Sequence, residues 1–345
     1  MGRFNQTNQM NFSSNLQDLH QAIKTVVSEE NETYIIRKVD SRFSVYIFGP
    51  KKNHTTIEEL KKIRAIDEVD FLDKNKDSFI WNDLQAGKKE LEKGKNIFFI
   101  ERHLTKNNWF VQRSEKVLNT PIISFYSFKG GVGRTTAMVM AAHILAQQGK
   151  KVALIDFDLE APGLATLFAL QKEEAKREEY LSVKGFVDFI NDYNFSKKDL
   201  DQLSLDDYYF KHRSPSIRTG GELFIFPAIS TGKNDSDLFI DKLSKVNLNY
   251  NKHNSFGVDT YLKLIEKEIQ PDVILIDSRT GINDIGGLVF NRYAQMIFLL
   301  FYGNSQNMFG LRSIVPKLNG FKENEIPFYL INSPVPNPQQ MLKLK

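Results

Sequence analysis

The 345-residue sequence contains no cysteine. For these residues, that excludes disulfide bonds, zinc sites built on thiolates and Cys-ligated iron–sulfur clusters. Long hydrophobic runs are also missing: the longest, residues 296–302, has seven residues, whereas a membrane-spanning helix needs ~20. No apolar stretch follows Met1, so we expect no secretory signal peptide and a soluble, cytoplasmic protein with no membrane span.

A strong excess of charge of either sign is absent as well. The sequence holds 46 Lys and Arg against 42 Asp and Glu, a net charge of +4. The first 118 residues hold 20 Lys and Arg against 17 Asp and Glu, so most of this small excess lies there. Bulk charge therefore does not indicate binding to nucleic acid, which attracts strongly basic proteins.

The hydrophobic pattern changes near residue 118, and at about 150 residues per domain the length predicts two domains. Before residue 118, helical spacing alternates with short apolar runs. Two β-hairpins are expected, one from residues 34–36 with 43–48 and one from 96–100 with 109–111. We therefore expect a small α+β domain of unknown function at residues 1–118.

Residues 119–345 have a different rhythm, in which short, continuous apolar runs alternate with helical patterns. The expected strands are 122–128, 152–157, 223–227, 273–277, 296–302 and 328–331. The expected helices are 135–148, 185–191, 258–269 and 309–318. Buried strands that alternate with helices predict an α/β domain with a doubly wound, mostly parallel sheet.

A glycine-rich stretch separates the first of these strands from the first helix. It reads Lys129, Gly130, Gly131, Val132, Gly133, Arg134, Thr135, Thr136. Three glycines within four positions let backbone N–H groups turn inward, and the helix that follows adds its own N-terminal N–H groups and dipole. This arrangement predicts a polyphosphate cradle, with the Thr135 hydroxyl placed to coordinate Mg²⁺.

The stretch resembles the deviant Walker A motif K-G-G-x-G-K-T-T of the ParA/MinD-like P-loop ATPases, and further motifs follow in family order to the end of the sequence. The resemblance implies ATP and Mg²⁺ as cofactors, and Thr136 near the α-phosphate. It also implies an ATP-dependent homodimer in which Lys129 reaches the nucleotide of the second copy. We also expect a protein partner that responds to the nucleotide state of this protein.

Two later strands end in carboxylates at places where the family has functional acids. Asp156 and Asp158 end the strand that starts near residue 151, and Asp277 ends the strand that starts near residue 272. By resemblance, Asp158 orients the attacking water, while Asp156 and Asp277 help Thr135 to hold the Mg²⁺ shell. Arg279 follows in the switch segment, either as a transition-state cation or as a salt-bridged surface arginine.

The last expected strand ends in Asn332, and Ser333 and Pro334 follow. It resembles the family strand whose terminal asparagine reads adenine, which implies Asn332 and Pro334 at the base. A plain Asn-Ser-Pro turn is the alternative.

Arg134 departs from the family, which has lysine at this position. Arginine keeps the attraction for phosphate, but its planar fork is bulkier than the compact lysine ammonium. Together with Lys129 and Asp158, Arg134 is expected to serve catalysis. The substitution also leaves a second interpretation open, namely a sensor that binds nucleotide without hydrolysing it.

Three functional hypotheses follow. The first is a Mg²⁺- and ATP-binding switch with slow or partner-stimulated hydrolysis, whose N-terminal domain carries the output. The second is a non-catalytic nucleotide sensor or scaffold in a bacterial multidomain system, with a link to defence. The third is a DNA-partitioning ATPase, which the charge balance does not support. The lack of cysteine leads us to expect no iron–sulfur cluster.

Overall fold

Separate hydrophobic cores divide the chain into two units, Met1–Thr105 and Lys106–Lys345. The computed structural model describes residues 14–38, 42–49, 54–63, 66–85, 88–92, 94–102, 109, 117–170, 172–196, 202–214, 216–218, 220–233, 236–246, 257–319 and 326–333. The division falls before the expected boundary at residue 118. The reason is that Trp109 and Leu118 are buried in the core of the second unit.

The first unit is an α+β fold built on a five-stranded sheet. Its elements are α1 (Ser14–Val26), β1 (Glu32–Arg37), β2 (Phe43–Phe48), α2 (His54–Lys61), β3 (Ile66–Leu72), α3 (Ser78–Gln85), β4 (Lys89–Glu90) and β5 (Ile97–Glu101). The strand order is β3-β2-β1-β5-β4. Side chains of α1 and α2 pack on one face of the sheet and those of α3 on the other.

One of the two hairpins expected here forms, and the other does not. β1 and β2 pair antiparallel, as the sequence predicts. β5 instead pairs parallel with β1 and antiparallel with the short β4. Trp109 joins the other unit because its indole is buried there, and Phe110 and Val111 lie outside the described residues.

The second unit begins after residue 105 and carries a seven-stranded sheet. Its first elements are β6 (Ile122–Ser127), α4 (Arg134–Gln147), β7 (Lys151–Phe157), α5 (Leu164–Ala169), α6 (Glu174–Leu181), α7 (Phe186–Ser196), β8 (Phe210–His212) and β9 (Glu222–Phe226). They are followed by a 3₁₀ turn (Ser236–Leu238), α8 (Phe239–Ser244), α9 (Gly257–Leu264) with a π-helical turn (Ile265–Ile269), and β10 (Val273–Ser278). The last are α10 (Asp284–Leu288) with a second π-helical turn (Val289–Tyr293), β11 (Met296–Phe301), α11 (Ser305–Asn319) and β12 (Phe328–Asn332).

The sheet order β12-β11-β6-β10-β7-β9-β8 confirms the expected doubly wound α/β architecture. All neighbouring strands are parallel except β8, which pairs antiparallel with β9 at the edge. α4 and α5 cover one face, and α7, α9, α10 and α11 pack on the other. In this register Asp277 of β10 lies beside Asp156 of β7, so the carboxyl ends of these strands bring their acids together.

No helix within the described ranges is both long and apolar enough to cross a lipid bilayer.

Candidate functional site

The glycine-rich loop connects β6 to α4, at the edge of the sheet where ligands bind in such folds. Gly131 and Gly133 have φ angles of +79° and +76°, a left-handed conformation that favours glycine. Val132 is buried and anchors the loop in the core. A Cβ built on Gly130 or Gly131 would meet no atom within 4 Å, so the loop backbone is open to a ligand.

Arg134, the first residue of α4, connects two of the predicted acids. Its Nε donates to Asp277 Oδ1, and its Nη2 donates to Asp158 Oδ2 at 2.9 Å. Arg134 is only 7% exposed, and its Nη1 is buried without a hydrogen-bond partner among the described residues. Burial alone would lower the pKa of Arg134, but the two carboxylates outweigh it and raise that pKa. The cluster is therefore held by a permanent positive charge.

Thr135 and Asp277 form the pair that fits a magnesium ion. The Thr135 hydroxyl donates to Asp277 Oδ2 at 2.5 Å, so a hydroxyl and a carboxylate lie together beside the loop. Mg²⁺ prefers such oxygen ligands and is usually bound by one or two carboxylates together with substrate phosphates. The described ranges contain no group of three or more His, Asp or Glu suited to a metal, and a phosphate-bound Mg²⁺ does not need one.

Asp156 is engaged by the backbone instead. Oδ1 accepts from the N–H of Asp158 at 2.9 Å, and Oδ2 accepts from the N–H groups of Gly163 and Leu164, both at 3.0 Å. Burial, aided by the charge of Asp277, raises the pKa of Asp156 to about 7. Its contacts organise the loop after β7, so they favour Thr135 and Asp277 over Asp156 as the metal-facing residues.

Lys129 and Thr136 lie at the two ends of the exposed loop surface. Lys129 is exposed, and its Nζ donates to Gln306 Oε1 at 2.5 Å. Thr136 is exposed in the first turn of α4, as a residue near a bound nucleotide should be. Neither side chain is buried, so both are accessible to a ligand.

The segment after β10 packs against the strand that leads into the glycine-rich loop. The Gly281 N–H donates to the Ser127 carbonyl at 3.3 Å, and the Tyr126 hydroxyl donates to the Gly281 carbonyl at 2.9 Å. Arg279 pairs with Glu160, which agrees with the salt-bridged interpretation of that arginine.

Asn332 lies at the exposed carboxyl end of β12, close to the loop. The next residue, Ser333, has its Oγ 3.6 Å from the position that a Cβ on Gly133 would take. The fold thus brings the predicted adenine-reading strand to the phosphate loop. Pro334 lies outside the described residues.

The sequence analysis does not predict three further residues near the site. Asn283 caps α10, its Oδ1 accepting from Gly286 N at 2.8 Å, and Trp109 Nε1 donates to the Asn283 carbonyl at 2.5 Å. Tyr126 is buried within a strand and looks there like an ordinary core residue. An asparagine before Asp284 and an apolar run is a recognisable cap signal, whereas nothing local marks Trp109 or Tyr126.

Comparison with known proteins agrees with this geometry. The family described as the CobQ/CobB/MinD/ParA nucleotide binding domain matches residues 123–308, more than half of the chain. An uncharacterized ATP-binding protein of Methanocaldococcus jannaschii is 44% identical over 66 residues, which are 19% of this chain and 25% of that protein. An iron–sulfur cluster carrier protein of Rickettsia felis is 28% identical over 139 residues, 40% of this chain and 37% of that protein.

The chain therefore spans well under two thirds of the length of either relative. Among solved structures, a plasmid partition protein from Borrelia burgdorferi aligns with a TM-score of 0.42 and 21% identity, over 66% of this chain and 85% of that one. The family match covers the glycine-rich loop together with Asp158 and Asp277. The chain belongs to the CobQ/CobB/MinD/ParA family of P-loop nucleotide-binding proteins.

Proposed function

We propose that the chain is an ATP-dependent molecular switch. It binds ATP with Mg²⁺, hydrolyses it slowly or under stimulation by a protein partner, pairs with a second copy in the ATP state, and signals through its first unit. One observation carries this proposal: the open glycine-rich loop lies directly beside the hydrogen-bonded pair Thr135 and Asp277.

In this proposal the phosphates bind to the backbone N–H groups of residues 130–133 and of the first turn of α4. Among the described residues no side chain caps that turn, so its N–H groups can bind an anion. The Arg134 Nη1, buried and without a described partner, is a further donor for a phosphate oxygen. Thr136, two residues after Arg134, is the residue that this proposal assigns to the α-phosphate.

Thr135 and Asp277 would hold Mg²⁺, which would neutralise charge on the β- and γ-phosphates when bound. The Asp158 carboxylate is the group that orients the attacking water. Asp158 is paired with Arg134 in the structure. It therefore becomes available to water only after the guanidinium turns toward phosphate.

The base is adenine in this proposal. Asn332 ends β12 next to the phosphate loop, and an amide both donates and accepts at a base edge. The M. jannaschii relative, named as an ATP-binding protein, supports the same choice. Dimerisation rests on Lys129, whose exposed ammonium donates to Gln306 in the described part of the chain.

A non-catalytic nucleotide sensor is the second candidate, and the ion pairs of Arg134 favour it. Two buried carboxylates hold the guanidinium, so it cannot move to the γ-phosphate without breaking both pairs. Such a site binds ATP but leaves Asp158 engaged. The cluster-carrier role of the R. felis relative is not extended to this chain, whose 345 residues contain no thiolate ligand.

Calorimetry and phosphate release separate these candidates. We expect the wild type to bind Mg²⁺–ATP and to release phosphate, and Asp158→Ala to keep binding while phosphate release falls at least about a hundredfold. Asp206→Ala, at an exposed turn, is the matched control and keeps both activities. Binding without turnover in any variant identifies the sensor, and a failure to bind ATP rejects both candidates.

A further inference from the structure

Trp109 is a buried side chain that the site described so far does not use. It lies in the segment between β5 and β6, outside the family match, and is only 5% exposed. Its ring packs edge-on against Phe290, with centroids 5.2 Å apart, and edge-on against Tyr126 at 6.3 Å. Its indole N–H donates to the Asn283 carbonyl at 2.5 Å.

Asn283 is the residue that holds the segment after β10 in place. Its Nδ2 donates to the carbonyls of Thr280 at 3.2 Å and Gly281 at 3.0 Å, while its Oδ1 caps α10. One side chain thus fixes both the 279–281 loop and the start of the next helix. By donating to the Asn283 carbonyl, Trp109 helps to fix the position of Asn283.

The same loop touches the phosphate loop through β6. The Gly281 N–H donates to the Ser127 carbonyl, and the Gly281 carbonyl accepts from the Tyr126 hydroxyl; Tyr126 and Ser127 end the strand β6 that leads into the glycine-rich stretch. Gly281 has a φ of +72°, so the loop has a backbone conformation that a larger residue would not readily adopt. Trp109 therefore contacts Tyr126, on the strand that leads into the phosphate loop, and Asn283, which holds the 279–281 loop.

The fit around the indole is close. A Cβ added at Gly286 of α10 would lie 3.3 Å from Trp109 Cζ2, so an alanine there would press on the ring and the ring would have to shift by a few tenths of an ångström. The ring also rests on Phe290 in the π-helical turn that continues α10. Such turns are frequent at functional sites.

We propose that Trp109 is a positioning residue of the nucleotide site, which holds the 279–281 loop through Asn283 and so responds to the bound nucleotide. The proposal rests on the proposed function, because the 279–281 loop responds to a γ-phosphate only if the site binds ATP. When the Gly281 N–H turns from Ser127 toward phosphate, Asn283 shifts and the indole loses its acceptor. Because coupling is reciprocal, the bond between Trp109 and Asn283 also sets the preference for ATP over ADP.

A full-length Trp81→Phe variant tests this, because Trp81 and Trp109 are the two tryptophans of the chain. Trp81 lies on α3 in the first unit. We expect Mg²⁺ with β,γ-imido-ATP to shift the emission of Trp109 to longer wavelength, and Mg²⁺–ADP to leave it unchanged. Calorimetry on the same sample establishes that each nucleotide is bound.

Trp109→Phe in the Trp81→Phe background keeps a ring but removes the N–H donor. We expect the ratio of ATP to ADP affinity to change about fivefold or more relative to Trp81→Phe. A loss of packing alone would weaken both nucleotides equally and leave the ratio unchanged. The Gly286→Ala variant, which crowds the indole, is expected to change the ratio as well.

The outcomes distinguish the two proposals. ATP bound by calorimetry, with an unchanged Trp109 emission and an unchanged affinity ratio, overturns the coupling and leaves the switch standing. No ATP binding by the Trp81→Phe protein or the wild type overturns the switch and the coupling together. The emission measurement on Trp81→Phe decides the matter even if Trp109→Phe does not fold.

Discussion

At position 134 a guanidinium faces the carboxylates that end β7 and β10. Two of its three nitrogens are paired with Asp158 and Asp277, and the third is buried without a partner among the described residues. Removing one partner of a buried charge pair costs ~3–5 kcal/mol of unfolding free energy, since the other charge stays buried. Arg134 therefore holds Asp158 and Asp277 in place, and in the proposed switch it restrains the groups that would serve hydrolysis.

Arg134→Lys should release this restraint. A lysine ammonium lacks the planar fork and does not hold both carboxylates in the same way, so Asp158 becomes available to water. We expect phosphate release from Mg²⁺–ATP to rise about tenfold or more, and the unfolding free energy to fall by about 1 kcal/mol. A phosphate-release assay and urea unfolding measure the two effects.

Arg292→Lys is the matched control for that substitution. Arg292 donates from Nε and Nη2 to the two oxygens of Asp259, at 3.0 and 2.5 Å, in the same unit but not among the site residues. It should lose a similar amount of stability with no gain in turnover. If turnover of Arg134→Lys stays at the wild-type level, the restraint by Arg134 is refuted.

His212 gives the second unit a sensitivity to acid. Burial, with smaller contributions from Lys172 and His143, lowers the pKa of His212 from 6.5 to about 4. The unfolded chain binds a proton below its ordinary pKa while the folded chain does not, so stability is present above about pH 6.5 and is lost as the pH falls toward 4. We expect a loss of about 1–2 kcal/mol, allowing for partial exposure.

Urea unfolding of the Trp81→Phe protein, followed by Trp109 emission at neutral pH and near pH 5, measures this loss. His212→Gln does not titrate and should show a smaller difference between the two pH values. His20→Gln, in the first unit, should keep the wild-type difference. Equal acid sensitivity of His212→Gln and the wild type would show that another group is responsible.

At the scale of elements, α11 and the phosphate loop are packed through a glycine. A Cβ at Gly310 would lie 2.0 Å from Phe128 Cγ, and Phe128 directly precedes Lys129. Since close-packed interiors do not absorb such an overlap locally, the helix surface helps to set the position of the loop. The phosphate cradle is thus fixed by α11 as well as by β6 and α4.

Gly310→Ala should therefore move the loop. Alanine favours the helix by about 1 kcal/mol, but the overlap displaces Phe128 and with it the loop backbone. We expect ATP affinity to fall about tenfold while helix content is kept, measured by calorimetry and circular dichroism. Gly303→Ala, where a Cβ meets nothing within 4 Å, is the control and keeps the wild-type affinity. An unchanged affinity in Gly310→Ala would exclude α11 as a determinant of the loop.

At the scale of the whole molecule, the proposed switch needs a second copy. Lys129 is exposed at the start of the phosphate loop, and the proposal assigns it to the nucleotide of the second copy. The two units have separate cores.

Lys129→Ala should keep ATP binding and lose the dimer. With Mg²⁺ and β,γ-imido-ATP, we expect the wild type to shift in light scattering from the 39.8 kDa monomer toward twice that mass. The variant should remain a monomer, with ATP affinity within about threefold of the wild type. Lys176→Ala on α6, an exposed lysine, should dimerise normally. A Lys129→Ala dimer of normal stability would remove this lysine from the interface.

Local patterns were enough to predict most of the second sheet. The strand runs near residues 122, 152, 273 and 296 are found within one or two residues of the expected bounds, because strands buried on both faces are continuously apolar. The short α5, α8 and α10 were not predicted, since five or six residues show little periodicity. The prediction that residues 96–100 pair with residues 109–111 was wrong, because both edges of β5 are occupied by other strands. A local apolar pattern does not show which strand will be the partner.

The sequence by itself determined the phosphate loop, its place between a strand and a helix, and the acids at the strand ends. The conformational freedom of glycine and the continuous apolar pattern of a buried strand are local properties that can be recognised in a sequence. Only the tertiary structure decided that Arg134 pairs with Asp277, 143 residues away, and that Trp109 bonds to Asn283, 174 residues away. Those contacts depend on the order of the strands and on which core buries a side chain, and no local periodicity encodes either.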